Sequence, residues 1–144
     1  MARGAYVLLD ADGRDPDVLL IATGSEVGLA IEARAELAAD GIAARVVSMP
    51  CSELFDRQPQ EYRESVLPPA VKARVAIEQA SSLGWHRYVG DGGAIVAMHT
   101  FGASAPLKEL VAKFGFTPDA VSQVSRGLLE GSGGPSIDQL QGRP

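Results

Sequence analysis

The chain of 144 residues holds a single cysteine, Cys51, and only two histidines, His86 and His99. One thiol can neither close an internal disulfide nor supply paired-cysteine zinc ligands, which suits a reducing compartment and leaves stability to the core. Positive charge is also scarce: 13 Lys and Arg face 18 Asp and Glu, a formal charge of −5. Phosphate backbones are gripped by clustered Lys and Arg, and neither the balance nor any charge block supplies them, which argues against a nucleic-acid partner. Long apolar runs are missing as well. The longest, such as Val18 to Ala22 and Ala94 to Met98, fall far below the roughly 20 residues that cross a bilayer. Near the start, Tyr6-Val7-Leu8-Leu9 is cut short by Asp10 and Asp12 before a signal-peptide core could form. The expectation is a cytoplasmic protein without a membrane partner.

Apolar material is not lacking. Hydrophobic residues make up 46% of the chain, enough at this length for one core that takes roughly 68–70% of the unfolded surface out of water. One domain is expected over residues 1–130. After Glu130 the run Gly131-Ser132-Gly133-Gly134-Pro135 and a polar end predict a disordered tail over 131–144.

Tyr6 to Leu9 and Val18 to Ala22 read as two short strands joined by a turn rich in Asp and Gly, an antiparallel hairpin. Ser25 is placed to cap a helix from Glu26 to about Asp40, with Gly41 as its left-handed stop and Val27, Ile31, Ala35 and Ala38 on its buried face. Arg45 to Met49 is a third strand, ended by Pro50. Ser52 caps a short helical piece through Phe55, and Pro59 opens another through about Val66. Val75 to Glu78 and Ala94 to Met98 are apolar throughout, as strands covered on both faces are. Leu107, Leu110, Val111 and Phe114 space a helix closed by Gly115. Thr117-Pro118-Asp119 starts another, with Val121, Val124 and Leu128 buried. The sum is an α/β fold: an open three-layer Rossmann-like sheet, mostly parallel, with one antiparallel edge strand from the N-terminal hairpin.

In such sheets ligands collect beyond the carboxyl ends of the strands, which makes Thr23, Gly24 and Ser25 the candidate site for a nucleotide or phosphate. Against it, no Lys or Arg stands beside the turn, Gly24 to Gly28 is not G-x-G-x-x-G, and Glu26 puts negative charge where the anion would sit. The plainer reading is capping and tight strand-to-helix packing. The catalytic-type residues are scattered. Nothing in the spacing of His86, His99, Cys51, Ser48, Ser104, Glu78 and Asp91 brings two together, so no catalytic residue is assigned. His99 reads as a hydrogen-bonded structural residue, Glu78 as a bracket for a neighbouring loop, and Cys51, with no base closer than Arg45 or Arg57, as an inert thiol. Trp85, His86 and Tyr88 beside Arg87 either form an interface hot spot or cover the sheet edge.

Ile21-Ala22-Thr23-Gly24-Ser25-Glu26-Val27, Arg45-Val46-Val47-Ser48-Met49-Pro50 and Tyr62-Arg63-Glu64-Ser65-Val66-Leu67-Pro68 closely resemble the C-terminal domain of bacterial transketolase. Arg3 to Leu8, Tyr88-Val89-Gly90, Gly93 to Val96, Thr100 to Pro106 and Phe114 to Thr117 continue the resemblance in order. Two positions depart from it: His99 stands where a small hydroxyl residue is common, and Asp91-Gly92 where a hydrophobic residue with Asn is frequent.

The resemblance implies a domain from a homodimeric enzyme of the pentose phosphate pathway. Such enzymes move two-carbon ketol units between sugar phosphates on thiamine diphosphate and magnesium. It further implies that the diphosphate-binding and pyrimidine-binding domains, which precede this one, hold that cofactor. Gly90-Asp91-Gly92 looks like the magnesium turn of thiamine-diphosphate enzymes, but the signature also needs an asparagine downstream and the chain has none. The expected role is therefore accessory: packing against the pyrimidine-binding domain and supporting the dimer, with no cofactor and no turnover in this chain alone. The start at Met1-Ala2-Arg3, just before the family-like stretch, fits a piece cut at a linker. A small-ligand regulatory module and the small subunit of a split transketolase are the alternatives.

Overall fold

The computed structural model describes residues 3–11, 13–78, 85–90, 92–97 and 117–130. Five strands form one sheet: β1 (Tyr6–Leu9), β2 (Val18–Ala22), β3 (Ala44–Ser48), β4 (Arg74–Glu78) and β5 (Ala94–Ala97), in the order β1-β3-β2-β4-β5. The pairs β3–β2, β2–β4 and β4–β5 are parallel, and β1 alone is antiparallel. Helices α1 (Val27–Ala39) and α5 (Pro118–Leu129) lie on one face. On the other lie α2 (Ser52–Asp56), α3 (Gln60–Val66) and α4 (His86–Val89). The expected three-layer, mostly parallel α/β architecture is what the chain adopts.

β2 shows why. All five of its residues are fully buried, and successive side chains point to opposite faces. Val18, Leu20 and Ala22 join Val46, Val75, Ile77 and Val96 beneath α1 and α5. Leu19 and Ile21 join Val47, Ala76 and Phe55 beneath the other helices. A central parallel strand needs apolar residues at every position for this reason.

The antiparallel edge strand exists, but the N-terminal hairpin does not. β3 lies between β1 and β2, with Tyr6 opposite Ser48 and Val7 opposite Val47. Leu8 is an extra residue in a bulge, since the next pair is Leu9 with Val46. The segment after β1 is a crossover held from afar. Arg45 reaches Asp10 at 2.8 Å, and Arg34 donates to the Asp10 carbonyl.

Helix α1 also differs from the sequence reading. Its buried residues are Ala30, Ala33 and Leu37, while Ile31, Ala35 and Ala38 are exposed. With alanine on every side the helix has almost no amphipathic contrast, so the buried stripe is set by where the sheet lies. A 3₁₀ turn over Gly24–Glu26 precedes it, which places Ser25 inside the turn and gives the N-cap position to Glu26. At the far end Gly41, with φ +77°, completes a Schellman closure: its N–H donates to the Ala38 carbonyl, and the Ile42 N–H to Leu37. Helix α2 is capped from Cys51, not Ser52, and the Cys51 N–H is held by the Gly4 carbonyl. Helix α5 begins as expected, with the Thr117 hydroxyl accepting from the Ala120 N–H and Pro118 in its first turn. It runs beside α1 in the same direction: Ser122 donates to Glu36 at 2.8 Å and Arg126 pairs with Asp40 at 2.7 Å. The expected helix around Leu107 to Phe114 and the 131–144 tail lie outside the described residues.

Candidate functional site

The sheet order places a switch point between β2 and β4. From β2 the chain moves to β3 on one side, and β4 and β5 then build outward on the other. Connections that part in this way open a crevice at the carboxyl ends of the two strands. A cavity of about 270 Å³ lies there, lined by Thr23 after β2, Met49 and Pro50 after β3, and Glu78 at the end of β4. Ser52 and the α4 residues Arg87 and Tyr88, with Trp85 before them, complete it.

Its polar equipment is organised around Tyr88. The phenol donates to the Asp56 carboxylate, 2.9 Å from Oδ1, and Arg87 pairs with the same carboxylate at 2.8 Å. Burial, and next the hydrogen bond to Asp56, push the Tyr88 phenol above its ordinary value. Trp85 meets Tyr88 edge-on with ring centroids 5.8 Å apart, and Phe55 lies 6.4 Å from the same ring. Trp85 and Tyr88 are thus buried core residues of the helical layer. Of the two readings for this stretch, covering the sheet holds for them.

The Thr23-Gly24-Ser25 turn is only partly in this crevice. Thr23 lines it, while Gly24 is exposed at φ +59° and Ser25 lies in the 3₁₀ turn. The Glu26 N–H is taken by the Thr23 carbonyl. Glu26 is buried, and its carboxylate passes close to Gly24: a Cβ built there would lie 3.9 Å from Oε2. A carboxylate folded over the helix start competes with any anion for that position.

Among the other candidates, Glu78 is half-buried on the crevice wall and Cys51 is exposed with its backbone in the α2 cap. Ser48 is buried at the end of β3. His86 opens α4. Asp91, His99 and Ser104 lie outside the described residues. Among the described residues no group of three or more His, Cys, Asp or Glu could hold a metal ion, and no helix is long and apolar enough to cross a membrane. Asp56 at the end of α2 and Arg74 at the start of β4, both heavily engaged, were not singled out by the sequence. Their partners are mostly backbone carbonyls and a distant phenol, which leave no mark on spacing.

Residues 4–117 match the family described as the transketolase-like C-terminal domain. The chain belongs to this family of transketolase C-terminal domains. The transketolase of Geobacillus stearothermophilus is 53% identical over 127 residues, covering 88% of this chain and 19% of that one. The solved transketolase of Leishmania mexicana superposes with a TM-score of 0.80 at 43% identity, covering 90% of this chain and 18% of that one. A structure titled as an inactive β4 tetramer of a split-gene transketolase shares the fold, with a TM-score of 0.70 at 24% identity and 43% of that chain covered. The chain thus spans about a fifth of the length of the curated transketolases it matches, and that fifth is their C-terminal domain fold.

Proposed function

We propose that this chain serves as the accessory C-terminal domain of a transketolase, non-catalytic by itself. In this reading the whole enzyme transfers two-carbon ketol units between sugar phosphates in the cytoplasm. The domain, residues 1–130, packs against the pyrimidine-binding domain and supports the homodimer. One observation carries it: the chain carries the family's C-terminal domain and covers only 19% of a full transketolase. Thiamine diphosphate with magnesium calls for an octahedral oxygen set shared by carboxylate, amide and diphosphate. The residues present do not fit that group. The chain has no asparagine, and the Asp56 carboxylate is already taken by Arg87 and the Tyr88 phenol. No catalytic step is therefore routed through this chain.

The test is a reconstitution. The purified chain, given thiamine diphosphate, magnesium, a ketose phosphate and an aldose phosphate, is expected to show neither turnover nor metal-dependent uptake of the coenzyme by calorimetry. Turnover or tight uptake by the chain alone overturns the reading. Mixing it with a separate polypeptide of the two upstream domains tests the split-subunit alternative, in which stable association and gain of turnover are expected. The switch-point position favours a second reading, a small-ligand site at Thr23, Gly24 and Ser25, although Glu26 opposes an anion there. Thermal-shift titration with nucleotides and sugar phosphates tests it through a concentration-dependent rise in melting temperature.

A further inference from the structure

A larger cavity, about 810 Å³, opens between α3 and α4 on the same face of the sheet. Its size is that of small-molecule sites. Among the described residues that line it, four are basic, Arg63, Lys72, Arg74 and Arg87, against two acidic ones, Asp56 and Glu64. In a chain with an excess of carboxylates this is an inversion of sign. Asp56 is already engaged by Arg87 and the Tyr88 phenol, and Glu64 accepts from the Gln60 amide at 2.8 Å.

Arg74 is the unusual member. It is half-buried, and its guanidinium donates to four carbonyls, those of Val71, Tyr88, Leu67 and Pro68, at 2.8 to 3.2 Å. Among the described residues it has no carboxylate partner. Carbonyl dipoles orient the group and satisfy most of its N–H donors, yet they leave its unit charge uncompensated. A desolvated cation in that position favours an anion beside it. Burial draws its pKa below the ordinary value, as expected of such a group. Arg63 and Lys72 are exposed, and Arg63 spends only its Nε on the Gln58 carbonyl.

We infer that this cavity binds a small phosphate monoester, with Arg74 as its fixed positive wall and Arg63 and Lys72 as the cations that close on the phosphate. Among the described lining residues four cations exceed two carboxylates, by about the charge of two that a phosphate monoester carries near neutral pH. Phe55 and Leu67 supply an apolar wall for the organic body. The inference does not depend on the accessory-domain reading, since it rests on the charge and volume of this chain alone.

The test is titration of the isotope-labelled 144-residue chain with glycerol 3-phosphate, followed by amide NMR shifts, with glycerol as the uncharged control. Saturable shifts confined to the neighbourhood of Arg63, Lys72, Val89, Gly90 and Gly92 are expected from the phosphate and none from glycerol. Lys72→Glu and Arg63→Glu, both at exposed positions, should each weaken binding about tenfold as reversal of a charge in contact with the ligand does. Arg14→Glu, a reversal at an exposed residue that does not line this cavity, should leave it unchanged. If Arg63→Glu disturbs folding, Lys72→Glu alone decides. No saturable shift at millimolar phosphate ester, shifts centred on Thr23 and Ser52, or equal weakening by Arg14→Glu would each overturn the site.

Discussion

Asp17 and Ala43 hold each other by a reciprocal pair of hydrogen bonds. The Asp17 N–H donates to the Ala43 carbonyl at 2.7 Å, and the Ala43 N–H donates to the Asp17 carboxylate at 2.9 Å. The clasp fixes the starts of β2 and β3 one residue before each strand, so it sets the register of the parallel pair Val18 with Ala44.

This clasp makes stability depend on acid. The Ala43 N–H, and after it Arg14, hold the Asp17 carboxyl below its ordinary value, and Arg45 does the same for Asp10. A depressed native pKa stabilises the fold above the unfolded value of about 3.9, and that contribution is lost as pH falls through the native one. Urea denaturation between neutral pH and pH 3 should show a fall in midpoint that is smaller in Asp17→Asn than in the unaltered chain. Asp17→Ala should cost about 1–2 kcal/mol at neutral pH.

Two glycines of the same fold should respond in opposite directions to alanine. A Cβ on Gly93 would lie 2.5 Å from the Val89 carbonyl oxygen and 2.6 Å from that of Arg74, both backbone atoms. Gly93→Ala should therefore cost about 2–3 kcal/mol. Gly28, in the first turn of α1, has nothing within 4 Å of such a Cβ, and Gly28→Ala should add about 0.5 kcal/mol. Thermal melts of the two variants check the pair.

The buried face of α1 can be tested in the same way. Leu37 is fully buried and Ile31 is 38% exposed. Leu37→Ala should cost about 2–4 kcal/mol and Ile31→Ala under about 0.5 kcal/mol by urea denaturation. Equal losses would restore the stripe that the sequence suggested.

Tyr88 should titrate late. Burial and the Asp56 carboxylate raise its phenol, so its stabilising contribution is complete below the unfolded value of about 10 and disappears as pH rises through the native one. The difference between ultraviolet titrations of the unaltered chain and Tyr88→Phe should be a step displaced above that value. A step at or below it would mean that the ring is not buried against Asp56.

The parts of the fold that were legible in the sequence are those whose signal is local. Val18 to Ala22 is apolar at every position, Gly41 sits just past the Asp40 cap of α1, and Thr117-Pro118 opens α5, so each element could be placed from its own residues. The partner of β1 could not. An Asp- and Gly-rich turn reads alike whether it closes a hairpin or begins a crossover, and the insertion of β3 is a pairing of residues far apart in the chain, such as Tyr6 with Ser48. The face of α1 was hidden because alanine carries little contrast. For the crevice, Thr23 and Glu78 were visible as strand ends, whereas Trp85 and Tyr88 stood out only as an interface or a cover for the sheet edge, not as a crevice wall. The cradle of Arg74 is made of carbonyl groups, which every residue has and no sequence distinguishes.

The bulge at Leu8 has a bearing on behaviour at high concentration. Among the described residues no strand pairs with the outer side of β1, the kind of margin on which another chain could assemble a cross-strand ladder. Here that margin is four residues long and broken at Leu8, with the charged Asp10 directly after it. An incoming strand would find no continuous run to template on, which should keep this border of the sheet from nucleating fibrous self-assembly.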